Sequence, residues 1–178
     1  MKPVVVAVVG GKKSGKTTTM EILIRHLTKR GFRIGAIKHI PEPNFTIDQE
    51  GKDTWKYAAS GATTVTAVSA HEIATIEKID LRKKSLIEIL RKCRNCDLVL
   101  LEGFKDRVAK NKQFYKIVVV KSEGEVAKGI KNFEPILAFT GPYHVVPSKN
   151  QPPYVDVLKR PEKLVDLLER LVSERAAT

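Results

Sequence analysis

The stretch Val4-Val5-Val6-Ala7-Val8-Val9-Gly10-Gly11-Lys12-Lys13-Ser14-Gly15-Lys16-Thr17-Thr18 carries two patterns back to back. The first six residues are an unbroken, mostly β-branched apolar run. A strand with one wet face would alternate, so this run predicts a strand buried on both faces, in the middle of a parallel sheet. Gly10 to Thr17 then match G-x-x-x-x-G-K-[ST]. Glycines there let the backbone turn tightly, so that successive N–H groups point into one anion-sized nest. The helix that follows adds its positive N-terminus to the same spot. In such a loop Lys16 reaches the β- and γ-phosphates and the Thr17 hydroxyl ligates Mg²⁺. The loop Gly10, Gly11, Lys12, Lys13, Ser14, Gly15, Lys16, Thr17 and Thr18 is therefore read as a nucleoside-triphosphate site.

Outward from this loop, Met20, Leu23, Ile24 and Leu27 form the apolar stripe of a helix, and Gly31 closes it. A second strand is expected from Phe32 to Lys38, which completes a strand–helix–strand crossover. Residues 39–49 hold two prolines and no periodicity, and read as a loop. A short helix is expected from Gly51 to Ser60, then two strands, Thr63 to Val68 and Glu72 to Ile79, able to pair as a hairpin. Leu86, Ile89, Leu90 and Cys93 make another helical stripe. Strands follow at Leu98 to Leu101, Tyr115 to Val120 and Ile136 to Thr140, with a charged loop from Gly103 to about Gln113. Gly141 to Tyr154 contains four prolines and reads as an irregular excursion. Pro161 opens a last helix with Leu164, Leu167, Leu168 and Leu171 on its core face. The expected fold is α/β: a P-loop NTPase with a mostly parallel sheet flanked by helices and a β-hairpin extension, built as a single domain over residues 1–178.

The chain's 178 residues suffice for one real core. An apolar fraction of 42% excludes general disorder. The longest apolar run, Val4 to Val9, is too short to span a bilayer and leads into no cleavage site, so the expected compartment is the cytoplasm. Lys and Arg number 32 against 20 acids, a formal net charge of +12. Clustered bases invite a nucleic-acid reading. Here the bases are spread along the chain with acids interleaved, and no RNA-binding aromatic signature or zinc-finger spacing is present. Nucleic acid and membrane are thus disfavoured, and anionic small molecules are the expected partners.

Asp97-Leu98-Val99-Leu100-Leu101-Glu102-Gly103 is a buried strand ending in a carboxylate and a glycine. In an open α/β sheet the ligand sits beyond the carboxyl ends of the strands, which places Glu102 near Mg²⁺ or its waters. Asp97, at the opposite end, reads as structural. The tract Thr46 to Thr54 has two readings: a switch-like loop approaching metal and γ-phosphate, or a capped helix start with acids favoured by the macrodipole. Cys93-Arg94-Asn95-Cys96 is a C-x-x-C pair with no second pair in the chain. Cys93 continues an apolar stripe, so core packing is its default role, with an intersubunit metal site or a redox pair as the alternatives. His26, His71 and His144 have no partner pattern, whereas His39, at the mouth of the second strand, is a functional candidate.

These tracts together resemble the molybdopterin-guanine dinucleotide biosynthesis protein B (MobB) family. The matching pieces are SGKTT at Ser14 to Thr18, IKH at Ile37 to His39, ID..GKDT at Ile47 to Thr54, SGA at Ser60 to Ala62 and LLEGFK at Leu100 to Lys105. They cover about residues 3–121; the region after Ser122 matches only in general organisation. The resemblance implies a GTP-binding, weakly hydrolysing homodimer that assists the molybdenum cofactor guanylyltransferase in joining GMP to molybdopterin, a phosphorylated pterin. Carried over by position, Lys16, Asp48 and Glu102 would be catalytic. Thr17, Asp48 and Glu102 would surround Mg²⁺, with Asp53 as a substitute for Asp48. Two departures stand out. Ile40-Pro41-Glu42-Pro43-Asn44 replaces further histidines after Lys38-His39, and no N-K-x-D motif reads guanine. GTP rather than ATP therefore rests on the resemblance. Two alternatives remain open: an ATP-dependent synthetase of the dethiobiotin synthetase type, and a metallochaperone GTPase using Cys93 and Cys96 or His39.

Overall fold

The chain is described here by a computed structural model covering residues 2–142 and 151–177. It divides into two compact units, residues 1–39 with 90–178, and residues 40–89. In the first, β1 (Val4–Gly10) is buried at every position. Strands β2 (Ile34–Lys38), β5 (Leu98–Glu102), β6 (Tyr115–Val119) and β7 (Ile136–Thr140) complete a sheet of order β2-β5-β1-β6-β7, parallel throughout. β1 lies at its centre, as its unbroken apolar run demands. The strands β3 (Thr64–Val68) and β4 (Ile73–Glu77) belong to the other unit.

Helices α1 (Lys16–Lys29) and α6 (Pro161–Ala176) share a core with alternate β1 residues: Val4, Val6 and Val8 meet Leu23, Leu27, Leu164 and Leu168, all buried. Arg30, at the end of α1, donates to Asp166 at 2.7 Å and to Glu169 on α6. α1 ends as its glycine predicts. Gly31 has φ 89°, its N–H bonds the Thr28 carbonyl, and the Phe32 N–H bonds the Leu27 carbonyl. That pairing is a Schellman cap. It also explains why β2 starts at Ile34 and not at Phe32: the Phe32 N–H is committed to the helix end.

Helix α5 (Glu123–Asn132) lies where the sequence reading placed no element. Gly124 and Gly129 weaken the helical signal, and Val126 and Ile130 are too sparse a stripe to reveal it. Gly129 is there because of close approach. A Cβ on it would lie 2.9 Å from the Phe139 ring and 3.2 Å from Val118, so α5 rests against β6 and β7. A further short helix, α4 (Lys105–Val108), forms inside the expected charged loop. Of the expected excursion at 141–154, residues 143–150, and with them His144, lie outside the described residues. Tyr154 runs beside β7 in an isolated parallel bridge to Phe139.

Asp97 is structural, as read. Its carboxylate accepts from the Arg33 backbone N–H at 2.8 Å and from the guanidinium at 2.6 Å, which holds its pKa below the usual carboxylate range.

In the unit of residues 40–89, α2 (Asp53–Ala59) packs along β3, and β3 pairs antiparallel with β4 from Thr64↔Glu77 to Val68↔Ile73. The hairpin is the one expected. The stripe from Leu86 to Cys93 is not one helix: α3 covers Leu86–Leu90, and a 3-10 turn follows at Arg91–Cys93. α3 opens on a reciprocal cap, with Ser85 N–H donating to Glu88 Oε2 at 2.8 Å and Glu88 N–H to Ser85 Oγ at 3.2 Å.

Lys116, mid-strand in β6, is fully buried. Its ammonium donates to the carbonyls of Asn111, at 2.6 Å, and Glu134. Burial lowers its pKa to about 8, against 10.5 in an unfolded chain. Between these values the unfolded state holds a proton that the folded state has released, so stability gained through this site rises with pH across the window and is lost as pH falls back to about 8. Denaturant titrations from pH 7 to pH 11 should show this rise. Lys116→Met, less stable at pH 7 because two carbonyls lose their donor, should lack it.

Candidate functional site

The chain between β1 and α1 folds back on itself. Gly10 is indispensable sterically: a Cβ there would lie 2.5 Å from the Val119 carbonyl oxygen and 2.7 Å from Ser14 Oγ. Lys13 (φ 55°) and Gly15 (φ 97°) both take left-handed backbone, which reverses the chain into α1. Ser14 is buried, and its Oγ has no hydrogen-bond partner among the described residues. Thr19 Oγ1 donates to the Gly15 carbonyl at 3.0 Å and fixes the first turn. Lys16 arches over the loop, its ammonium 2.6 Å from the Gly11 carbonyl. Partial burial lowers the pKa of Lys16; the Glu102 carboxylate opposes this, while Lys105, Lys38 and Lys121 add to it.

Glu102 ends β5, almost fully buried, one strand over from the loop. The Thr17 hydroxyl faces its two carboxylate oxygens at 3.2 and 3.4 Å. A hydroxyl and a carboxylate meeting beside a phosphate loop are the hard oxygen donors that Mg²⁺ takes. The residues present therefore fit a triphosphate and its metal. After β5 the backbone stays left-handed at Gly103 (φ 89°) and Phe104 (φ 55°). The Gly103 N–H bonds the Val8 carbonyl, and the His39 N–H bonds the Glu102 carbonyl at 2.9 Å. His39 packs against Phe104 with the rings tilted and their centroids 5.0 Å apart.

Lys16, Thr17 and Glu102 thus converge as the sequence reading expects. Lys12, Lys13 and Thr18 lie exposed on the same loop. Asp48 belongs to the unit of residues 40–89. There its Oδ1 accepts from the Thr54 hydroxyl and the Gln49 N–H at 2.9 Å each, at the start of α2, and Oδ2 is buried with no hydrogen-bond partner among the described residues. Asp53 is exposed and pairs with Lys56 at 3.3 Å. α2 itself starts from Lys52 with no side-chain cap, and Asp53 is the acid of its first turn. The lysines around Glu102 carried no role in the sequence reading. Lys38 pairs with Glu102 at 3.3 Å, and Lys121, just beyond β6, donates to the Lys12 carbonyl at 3.4 Å. Lys38 and Lys105 stand inside the quoted IKH and LLEGFK tracts; only the fold shows that Lys38 meets Glu102 and that both lysines act on Lys16.

The family model for molybdopterin guanine dinucleotide synthesis protein B, MobB, matches residues 5–140. The chain belongs to the MobB family. The match runs past Ser122, further than the motifs alone reach. The chain is 34% identical over 120 residues to a protein of Methanocaldococcus jannaschii, covering 67% of this chain and 48% of that one. It is 35% identical over 100 residues to the molybdopterin-guanine dinucleotide biosynthesis adapter protein of Haemophilus influenzae, covering 55% of each. The chain thus spans about half the length of these curated relatives. Two crystal structures share the fold. One is of molybdopterin-guanine biosynthesis protein B (TM-score 0.71, 24% identity, 96% of this chain and 99% of that one). The other is of Bacillus subtilis MobB (TM-score 0.72, 23% identity, 90% and 96%). The P-loop NTPase fold expected from the sequence is the one observed.

Lys16→Ala should lower triphosphate affinity about ten- to a hundredfold, since a hydrogen bond to a charged group is worth about 1.5–3 kcal/mol. Glu102→Gln should weaken binding only when Mg²⁺ is present, whereas Asp97→Asn, at the far end of the same strand, should not. Fluorescent-nucleotide titrations with and without Mg²⁺ read out all three variants; equal magnesium dependence in Glu102→Gln and its parent would exclude the metal role.

Proposed function

We propose that this chain binds GTP with Mg²⁺ and serves as an adapter in molybdenum cofactor biosynthesis, assisting the guanylyltransferase that attaches GMP to molybdopterin. One observation carries the reading: Thr17 and Glu102 meet beside Lys16 at the mouth of a phosphate loop, in a chain whose Haemophilus influenzae relative is named an adapter protein of molybdopterin-guanine dinucleotide biosynthesis. Lys16 and the N–H groups of residues 11–18 would hold the phosphates. Thr17 and Glu102 would hold Mg²⁺. Bound there, Mg²⁺ would offset part of the triphosphate charge.

Beside the loop, a pocket of about 220 Å³ is lined by Lys13, Ser14, Thr18, Gly141, Val157 and Leu158, among others. Its apolar wall suits the flat face of a nucleobase, and Thr18 lines the same pocket. Leu158→Ala should weaken GTP binding several-fold yet leave inorganic tripolyphosphate binding unchanged, because it touches no phosphate. Calorimetry with the two ligands separates the base contribution from the phosphate one.

Hydrolysis by the isolated protein should be slow. The recognised motifs assign no arginine finger or water-orienting glutamine to the γ-phosphate, and such groups supply about 10³–10⁵ in rate. A homodimer fits the β3–β4 ribbon, whose paired Val68 and Ile73 are both exposed, as is Ile47 of the same unit. A two-stranded ribbon is marginal alone, and a second copy would cover it. Among the described residues no helix is long and apolar enough to cross a membrane. The deciding experiment reconstitutes guanylylation of molybdopterin by the transferase at limiting GTP. Added protein should raise product formation and associate with the transferase, more weakly as salt rises. No stimulation and no association at low salt would overturn the adapter role; rapid ATP turnover with a small carboxylate or amine would establish a synthetase instead.

A further inference from the structure

Cys93 and Cys96 stand apart from the nucleotide site, in the turn that leads toward β5. Cys93 ends the 3-10 turn Arg91–Cys93, and Arg94 continues in right-handed helical backbone (φ −60°, ψ −22°). The Cys96 N–H closes the turn on the Cys93 carbonyl at 3.0 Å. Both side chains leave this turn on one side. The surface they meet is Gly35, near the start of edge strand β2. A Cβ on Gly35 would stand 3.0 Å from Cys93 Sγ and 3.3 Å from Cys96 Sγ. Gly35 is not among the glycines with positive φ, so its backbone does not demand glycine. What it supplies is room. The two sulfurs sit over one backbone point and interact with each other there.

We propose that Cys93 and Cys96 form a dithiol site that closes reversibly into an intrachain disulfide by exchange with a small-molecule disulfide of the glutathione class. The chemistry balances in two displacements. One cysteine, as its thiolate, attacks a sulfur of oxidised glutathione; the glutathione S–S bond breaks, and one glutathione thiolate leaves and takes up the proton. The other cysteine loses its proton, attacks the mixed disulfide and expels the second glutathione. Two protein thiols are oxidised and one glutathione disulfide is reduced to two thiols. A closed turn keeps Cα(i) and Cα(i+3) within about 7 Å, which overlaps the span a disulfide bridges. Both thiols are half-buried, so a small disulfide can reach them. Burial, and then Cys96 beside it, raise the Cys93 thiol above its ordinary range, so exchange should quicken as pH rises.

The test treats the full chain with excess oxidised glutathione and follows intact mass and alkylatable thiols. The expected product is a monomer that has lost two hydrogens and both free thiols, and that dithiothreitol returns to the starting mass. Cys93→Ser and Cys96→Ser should each stop at a single glutathione adduct. A parent protein that stops at glutathione adducts, keeps both thiols alkylatable, or links through them to a second chain would overturn the proposal.

Discussion

A strand whose every side chain is apolar can be satisfied only by two neighbouring strands and a layer on each face. β1 meets that condition: it lies between β5 and β6, with α1 and α6 packed against alternate residues of one side. The position of the site follows from this. The loop that leaves a central strand of a parallel sheet emerges between the carboxyl ends of its neighbours. Here these are Glu102 on β5 and Val119 on β6, which share the register of Val8 and Gly10. Gly10 is the point where fold and function meet, since the Val119 carbonyl and Ser14 Oγ leave no room for a Cβ. A larger residue would push the phosphate loop off the sheet edge.

What the sequence reveals divides along this same line. The phosphate loop, Thr17 and Glu102 were legible because each is tied to a local pattern: a glycine-spaced motif, or an apolar strand ending in a carboxylate. The cap at Gly31 was legible for the same reason. Helix α5 was not, because its burial rests on Val126 and on the absent side chain of Gly129, and a missing side chain leaves no apolar periodicity. Lys116 illustrates the converse. A lysine in a strand reads as solvent-facing, and only the tertiary position of the Asn111 and Glu134 carbonyls shows what holds its charge inside.

The converging lysines were hidden differently. Lys38, Lys105 and Lys121 are far apart in sequence and carry no spacing signal, yet strand order brings all three into electrostatic range of Lys16. A net charge of +12 read along the chain looks like a diffusely basic surface. Folded, part of that charge is focused on the carboxyl edge of the sheet, which raises the local concentration of anionic ligands and speeds their capture.

That focusing has an energetic consequence for the ligand-free protein. Lys105, Lys38 and Lys121 each act on Lys16, while Glu102 opposes them and pairs with Lys38. Like charges so placed destabilise the folded state, and a triphosphate relieves the repulsion while it gains the hydrogen bonds of the loop. Binding to the folded state alone adds stability as RT ln(1 + [L]/Kd), about 2.7 kcal/mol at a hundredfold excess over Kd. The strain is the reverse side of affinity: the same charges that oppose folding of the empty site draw the anion in. Charges so placed bear on binding; hydrolysis is set by the groups that orient water and stabilise the transferring phosphoryl.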